Sequence, residues 1–206
     1  MRVPLDSRKE KENLRIVILM MIATLVSTAT DTCSDVLGRI VFAAEPGGTS
    51  CNLVDVVPGP VYAHLLITEA ARVNAVQFAA PKPACWVGAT WIGDSIVFPV
   101  HTGDSQNLSD PHGLMIGLPS CMTSPVYLGA IVFWTQGQAP PCCVYPIVKA
   151  NDWEPGIPTP IMLACDGQEH GITPGYAVVN PDPSCSCGGP VAAEPKTWGA
   201  LKALYR

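Results

Sequence analysis

The sequence predicts an all-β fold, an antiparallel β-sandwich, and three observations predict it. Proline and glycine, 21 and 18 of the 206 residues, are spread along the chain rather than massed in a linker. Proline lacks an amide donor and glycine weakens helix interiors, so this spacing punctuates short strands and turns. Between the breaks lie segments rich in β-branched and aromatic residues. Hydrophobic residues are 48% of the chain and charged ones 14%, a balance that fits a packed core and argues against disorder.

The predicted strands follow in order. Leu37–Ala44 comes first, then Val61–Thr68 and Val73–Ala80. Trp86–Ile92, Ser95–Val100 and Gly113–Leu118 follow. Val126–Thr135 (VYLGAIVFWT) is the strongest, being long, β-branched and aromatic. Cys143–Ala150, Pro160–Cys165 and Tyr176–Asn180 complete the set. Short strands with turn signals between them make a sandwich or barrel. Ala63–Phe78 also fits a helical period through its TEAAR run, but Val, Ile, Thr and Phe crowd both flanks. Two strands joined at Glu69–Arg72 is the preferred reading. Pro181–Pro195 reads as a loop pinned by cysteines, and the tail 194–206 as a short helix opened by Pro195, with Trp198, Leu201, Leu204 and Tyr205 near one face.

The N-terminus has the layout of a secretory signal peptide. A net-positive stretch, Met1–Arg15, runs into the apolar block Ile16–Val26, and Ser27 and Ala29 then occupy the minus-three and minus-one positions of a cleavage site. The block is shorter than the roughly 20 residues a relaxed membrane span needs. Cleavage after Ala29 is expected, with an uncleaved signal anchor and a lipid-modified Cys33 as the alternatives. The domain reading is therefore signal helix 1–29, sandwich 30–193 and tail 194–206. About 177 residues then remain, enough for one domain with its own core.

Beyond residue 29 the basic residues are Arg39, Arg72, Lys82, Lys149, Lys196, Lys202 and Arg206, with no cluster among them. A nucleic-acid partner needs a positive patch to displace counterions from phosphate, so none is expected. Association with an anionic membrane after leader removal is disfavoured for the same reason.

Export carries the nine cysteines, Cys33, Cys51, Cys85, Cys121, Cys142, Cys143, Cys165, Cys185 and Cys187, into an oxidising compartment. All nine are disulfide candidates, and the odd count leaves at least one unpaired within a monomer. The connectivity is open. Cys142 and Cys143 point to opposite faces of an extended chain, so they should take different partners. Neither the Cys-Cys nor the Cys-Ser-Cys spacing suits a structural zinc site.

Other chemistry is sparse. Gly93-Asp94-Ser95 and Gly103-Asp104-Ser105, with Asp110-Pro111-His112 downstream, resemble the nucleophile and Asp–His blocks of GDSL esterases. Position, spacing and the lack of alternating helices all depart from that family, and Gly-Asp-Ser is ordinary turn chemistry. A hydrolase would need Ser95 or Ser105 within reach of a histidine. His64, His101, His112 and His170 show no metal-ligand spacing. Asp104, Asn107 and Asp110, or Asp166 with Glu169, read as solvated turns before they read as calcium ligands. Asn107-Leu108-Ser109 fits an N-glycosylation sequon. No cofactor, metal or catalytic residue is expected. Trp153, in the polar turn Asn151–Gly156, is the candidate ligand contact. A carbohydrate-binding module would present an exposed cluster of Trp and Tyr on one sheet face.

Val73–Ala80 (VNAVQFAA), Val126–Thr135 and Ile161–Val179 resemble, in order and character, the core strands of cohesin-like and related immunoglobulin-like extracellular sandwiches, a jelly roll being the alternative. The tail Thr197–Arg206 (TWGALKALYR) is similar to endings of small exported proteins of uncultivated bacteria. The resemblance implies architecture, not a ligand. The expectation is a secreted or cell-surface β-sandwich, non-catalytic, disulfide-stabilised, with a protein or polysaccharide partner outside the cell. A carbohydrate-binding module is the alternative, and a GDSL-like esterase ranks below it.

Overall fold

A computed structural model describes residues 37–108, 113–150 and 156–187. The leader with Ala29, Cys33, the Asp110–His112 block, Trp153 and the tail 194–206 lie outside the described residues.

Thirteen strands make up the described structure: β1 (Arg39–Ala43), β2 (Asn52–Leu53), β3 (Pro58–Thr68), β4 (Val73–Phe78), β5 (Thr90–Ile96), β6 (Val100–Thr102), β7 (Leu114–Met122), β8 (Val126–Gln136), β9 (Cys143–Pro146), β10 (Ile161–Ala164), β11 (Glu169–Gly171), β12 (Thr173–Pro174) and β13 (Tyr176–Val179). One five-stranded sheet runs β12-β1-β3-β8-β5, a second β11-β10-β4-β7-β6, and a small third β2-β13-β9. The fold is the expected all-β sandwich. Its pairing is antiparallel except for two short parallel contacts, β1 with β12 and β13 with β2.

Alternation explains the layers. Ala63, Leu65 and Ile67 of β3 and Ile131 and Phe133 of β8 are buried, and they meet Val76 and Phe78 of β4 and Leu114 and Ile116 of β7 in one core. Successive strand residues point to opposite sides, so one face of each sheet is committed to this core. Trp86, Phe42, Phe133 and Tyr145 form its aromatic centre, with Phe42 and Tyr145 stacked at 4.6 Å and Phe133 meeting Tyr145 edge-on at 5.6 Å. The Ala63–Phe78 region is two strands, as expected. They belong to different sheets, so Glu69–Arg72 arches across the sandwich instead of closing a hairpin.

One boundary differs from expectation. Trp86–Ile92 and Ser95–Val100 were expected as two strands broken at Gly93-Asp94. Instead Cys85–Gly88 is turn, one strand runs through Gly93-Asp94, and β6 starts at Val100. A bulge between Trp91 and Gly93 absorbs the irregularity, and Ser105 satisfies the Asp94 carboxylate. β2, β11 and β12 are too short to carry a sequence pattern. Gly129 of β8 is required by close approach, because a Cβ there would run into the Ser95 carbonyl of β5.

Four disulfides pair the eight described cysteines: Cys51–Cys187, Cys85–Cys143, Cys121–Cys165 and Cys142–Cys185. Cys142 and Cys143 do take different partners. Three of the four bridges end on or beside the third sheet, whose strands are only two to four residues long. So small a sheet has few ladder bonds of its own; Cys85–Cys143 ties it to the turn before β5, and the other two bridges tie it to the loop that follows β13.

Candidate binding face

The same alternation that fills the core exposes the other side of β3 and β8. Pro60 pairs with Trp134, Tyr62 with Val132 and His64 with Ala130. Directly opposed residues share a face, so Tyr62, His64, Val132 and Trp134 project together away from the core. Tyr62 and Trp134 are 47% and 48% exposed, high values for large rings in the middle of a sheet. Tyr62 and His64 lie near-parallel, ring centres 6.1 Å apart, and His64 meets Tyr127 at 5.8 Å. A 2.9 Å hydrogen bond joins His64 Nδ1 to the Tyr127 hydroxyl.

Beside these rings is a notch of about 250 Å³ whose walls include Asn52, Val54, Pro60, Tyr62 and His64 and, among the described residues, no acidic or basic side chain other than this histidine. Partial burial lowers the His64 pKa below its ordinary value, an effect that the field of Glu45 opposes. Burial likewise raises the Tyr127 pKa, so its hydroxyl keeps its proton.

The sequence pattern holds a signal for this face. In VYAHLLIT and VYLGAIVFWT the residues at 63, 65, 131 and 133 point inward, which leaves 62, 64, 132 and 134 outward. Trp134 is one strand position from the buried Phe133. Trp86, by contrast, is fully buried, and Trp91 is half-buried against the core.

The other candidate residues are structural in their surroundings. The two Gly-Asp-Ser triplets meet: the Ser105 hydroxyl and amide both donate to the Asp94 carboxylate at 2.7 Å, and Gln106 Nε2 donates to Ser105 Oγ at 3.0 Å. Ser105 is fully buried. Ser95 faces solvent opposite Ala130, whose other neighbour is His64, so Ser95 and His64 lie roughly 10 Å apart across two strand spacings. His101 Nδ1 lies 2.9 Å from the Phe98 carbonyl. Asp104 and Asp166 each accept from the backbone amide two residues on, at 2.9 Å, which is the hydrogen bond of an Asx turn. Cys142, Asp182 and Cys185 come within metal-ligand distance of one another, but the two sulfurs are bonded together.

Asp55 was not singled out by sequence. It is buried, its Oδ2 accepts from Trp86 Nε1 at 2.8 Å, and the Asn180 side chain bonds its backbone amide and carbonyl, both at 2.7 Å. An acidic residue in the turn before a strand carries no sequence mark of burial. Its partners lie 31 and 125 residues away.

No family model matches the sequence, and no curated protein matches it. Among solved structures the chain is similar to a cohesin module from the family 33 glycoside hydrolase of Clostridium perfringens ATCC13124. The likeness has a TM-score of 0.48 at 12% identity and covers 71% of this chain and 99% of that module.

Proposed function

We propose that this chain is a secreted or cell-surface β-sandwich with a structural or interaction role, working by binding rather than by catalysis and held together by disulfides. The observation that carries the reading is the set of four disulfides, which join strands and loops that are 43 to 136 residues apart in sequence. Such bridges form and persist in oxidising compartments and are rare in the cytosol. The net-positive leader and its short apolar block agree with that compartment. The burial of Ser105 and its bonding to Asp94 favour a binding role over the hydrolase alternative.

The intact mass of the mature protein, with and without thiol alkylation under non-reducing conditions, tests the reading. The expected result is loss of the first 29 residues and at most one alkylated cysteine. Recovery with an intact leader and most thiols titratable would overturn it. So would hydrolysis of a short-chain aryl ester that disappears in a folded Ser105→Ala or Ser95→Ala variant.

A further inference from the structure

We infer that the outer face of β3 and β8 binds a neutral polysaccharide chain, which packs on Tyr62 and Trp134. The inference rests on the reading of this protein as a binding domain and names the chemistry of its ligand. A sugar ring offers a C–H face that packs on an aromatic ring and hydroxyls at its edge that need hydrogen-bond partners. Tyr62 and Trp134, nearly half exposed and diagonal neighbours on adjacent strands, supply the rings. Asn52, Tyr62 and His64 border the adjoining notch; Cys187 N donates to the Asn52 amide oxygen and Tyr127 holds His64 Nδ1, so the polar groups offered to a ligand are the Asn52 amide nitrogen, the Tyr62 hydroxyl and His64 Nε2. Polar groups placed beside an apolar ring face are what a glycan subsite needs.

Charge sets the class of glycan. The 22 residues of β3 and β8 include no Asp, Glu, Lys or Arg, in a chain whose formal net charge is −5. No Lys or Arg on these strands could hold a uronate or sulfate, and the net negative charge of the chain disfavours polyanions. A neutral polymer meets no such penalty. The shallow groove on the opposite sheet makes the contrast. Among the described residues its lining, which includes Ala75, Gln77, Met115, Ile161 and Leu163, has no aromatic ring to receive a sugar.

Native-gel affinity electrophoresis of the disulfide-bonded protein, with soluble mixed-linkage β-glucan, xylan, mannan or polygalacturonate cast in the gel, tests the inference. Retardation is expected in at least one neutral gel and not with polygalacturonate, and it should persist at 0.5 M salt, where the Debye length is about 4 Å and charge attraction is screened out. Trp134→Ala and Tyr62→Ala should each weaken it at least tenfold while the melting temperature stays close to that of the parent. The absence of retardation by every neutral polymer, retardation by polygalacturonate alone, or retardation that survives both substitutions would overturn it. A protein partner captured only when Trp134 is present, with no neutral polymer bound, would sink the glycan inference and leave the binding reading standing. Free thiols throughout the mature protein would sink the reading as an exported, disulfide-held domain, whatever the gels show.

Discussion

The two sides of the β3–β8 ribbon use the same residue classes for opposite ends. On the inner side Phe133 is fully buried and packs within 4.5 Å of the Trp86 ring centre and 5.6 Å of Tyr145. On the outer side Trp134, its chain neighbour, is half exposed across from Pro60. One aromatic position supports stability and the next is available to a ligand. The difference comes from strand geometry, which sends consecutive side chains to opposite faces, and not from hydrophobicity, which the two share.

The sharpest way to break this comparison is to truncate each ring. Phe133→Ala should lower unfolding free energy by about 3 to 5 kcal/mol, through lost transfer energy and an unfilled cavity. Trp134→Ala should change it by only about 0.5 kcal/mol. Urea denaturation of both variants measures this directly, and equal losses would mean that Trp134 belongs to the core.

The inner side also has a covalent tie. Cys85–Cys143 joins the turn before β5 to β9, close to the Trp86 and Tyr145 rings. Replacing both cysteines with alanine should cost about 2 to 4 kcal/mol, chiefly by freeing the unfolded chain. The cost should fall on stability and leave any binding at the outer face unchanged in the folded protein. A binding loss at temperatures where the variant is fully folded would show that the two sides are coupled.

How much of this was legible in sequence follows the same division. The strands β3, β4 and β8 announce themselves by length and β-branched content, and alternation within them separates core from surface. The sandwich and the different partners of Cys142 and Cys143 followed from such local rules. Contacts between distant segments did not. Gly93-Asp94 looked like a break because its compensating partner, Ser105, lies eleven residues on. Asp55 carries no mark in the sequence because Trp86 and Asn180 reach it only in the folded chain. Trp153 stands out in the sequence for its polar neighbours, whereas Trp134 lies within a strong strand pattern that does not mark it as a surface group.

The Asp94–Ser105 pair offers a smaller test. Ser105→Ala removes a 2.7 Å hydrogen bond to a carboxylate, so a loss of about 1.5 to 3 kcal/mol is expected. Ser95→Ala, on an exposed outer position of the same strand as Asp94, should fall within about 0.5 kcal/mol of the parent. Comparable small effects for both would mean that the second triplet is dispensable to the fold.

The mildest expected effect belongs to His64, which stands on the outer side of the ribbon beside the notch. Its pKa is lowered in the fold because partial burial disfavours the imidazolium, with the Glu45 field acting against that shift. The unfolded chain therefore takes up this proton first as pH falls. Stability from this group is complete above the unfolded value near 6.5 and declines as pH drops from there toward the folded pKa, below which the slope vanishes. His64→Gln should remove that part of the decline. The difference in melting temperature between parent and variant, followed from pH 8 to pH 5, should be flat above neutrality and shift in the variant's favour on the acid side. A difference that stays constant across the range would mean that His64 is as well solvated in the fold as in the unfolded chain, and would move it from the partly buried to the fully exposed side of the comparison.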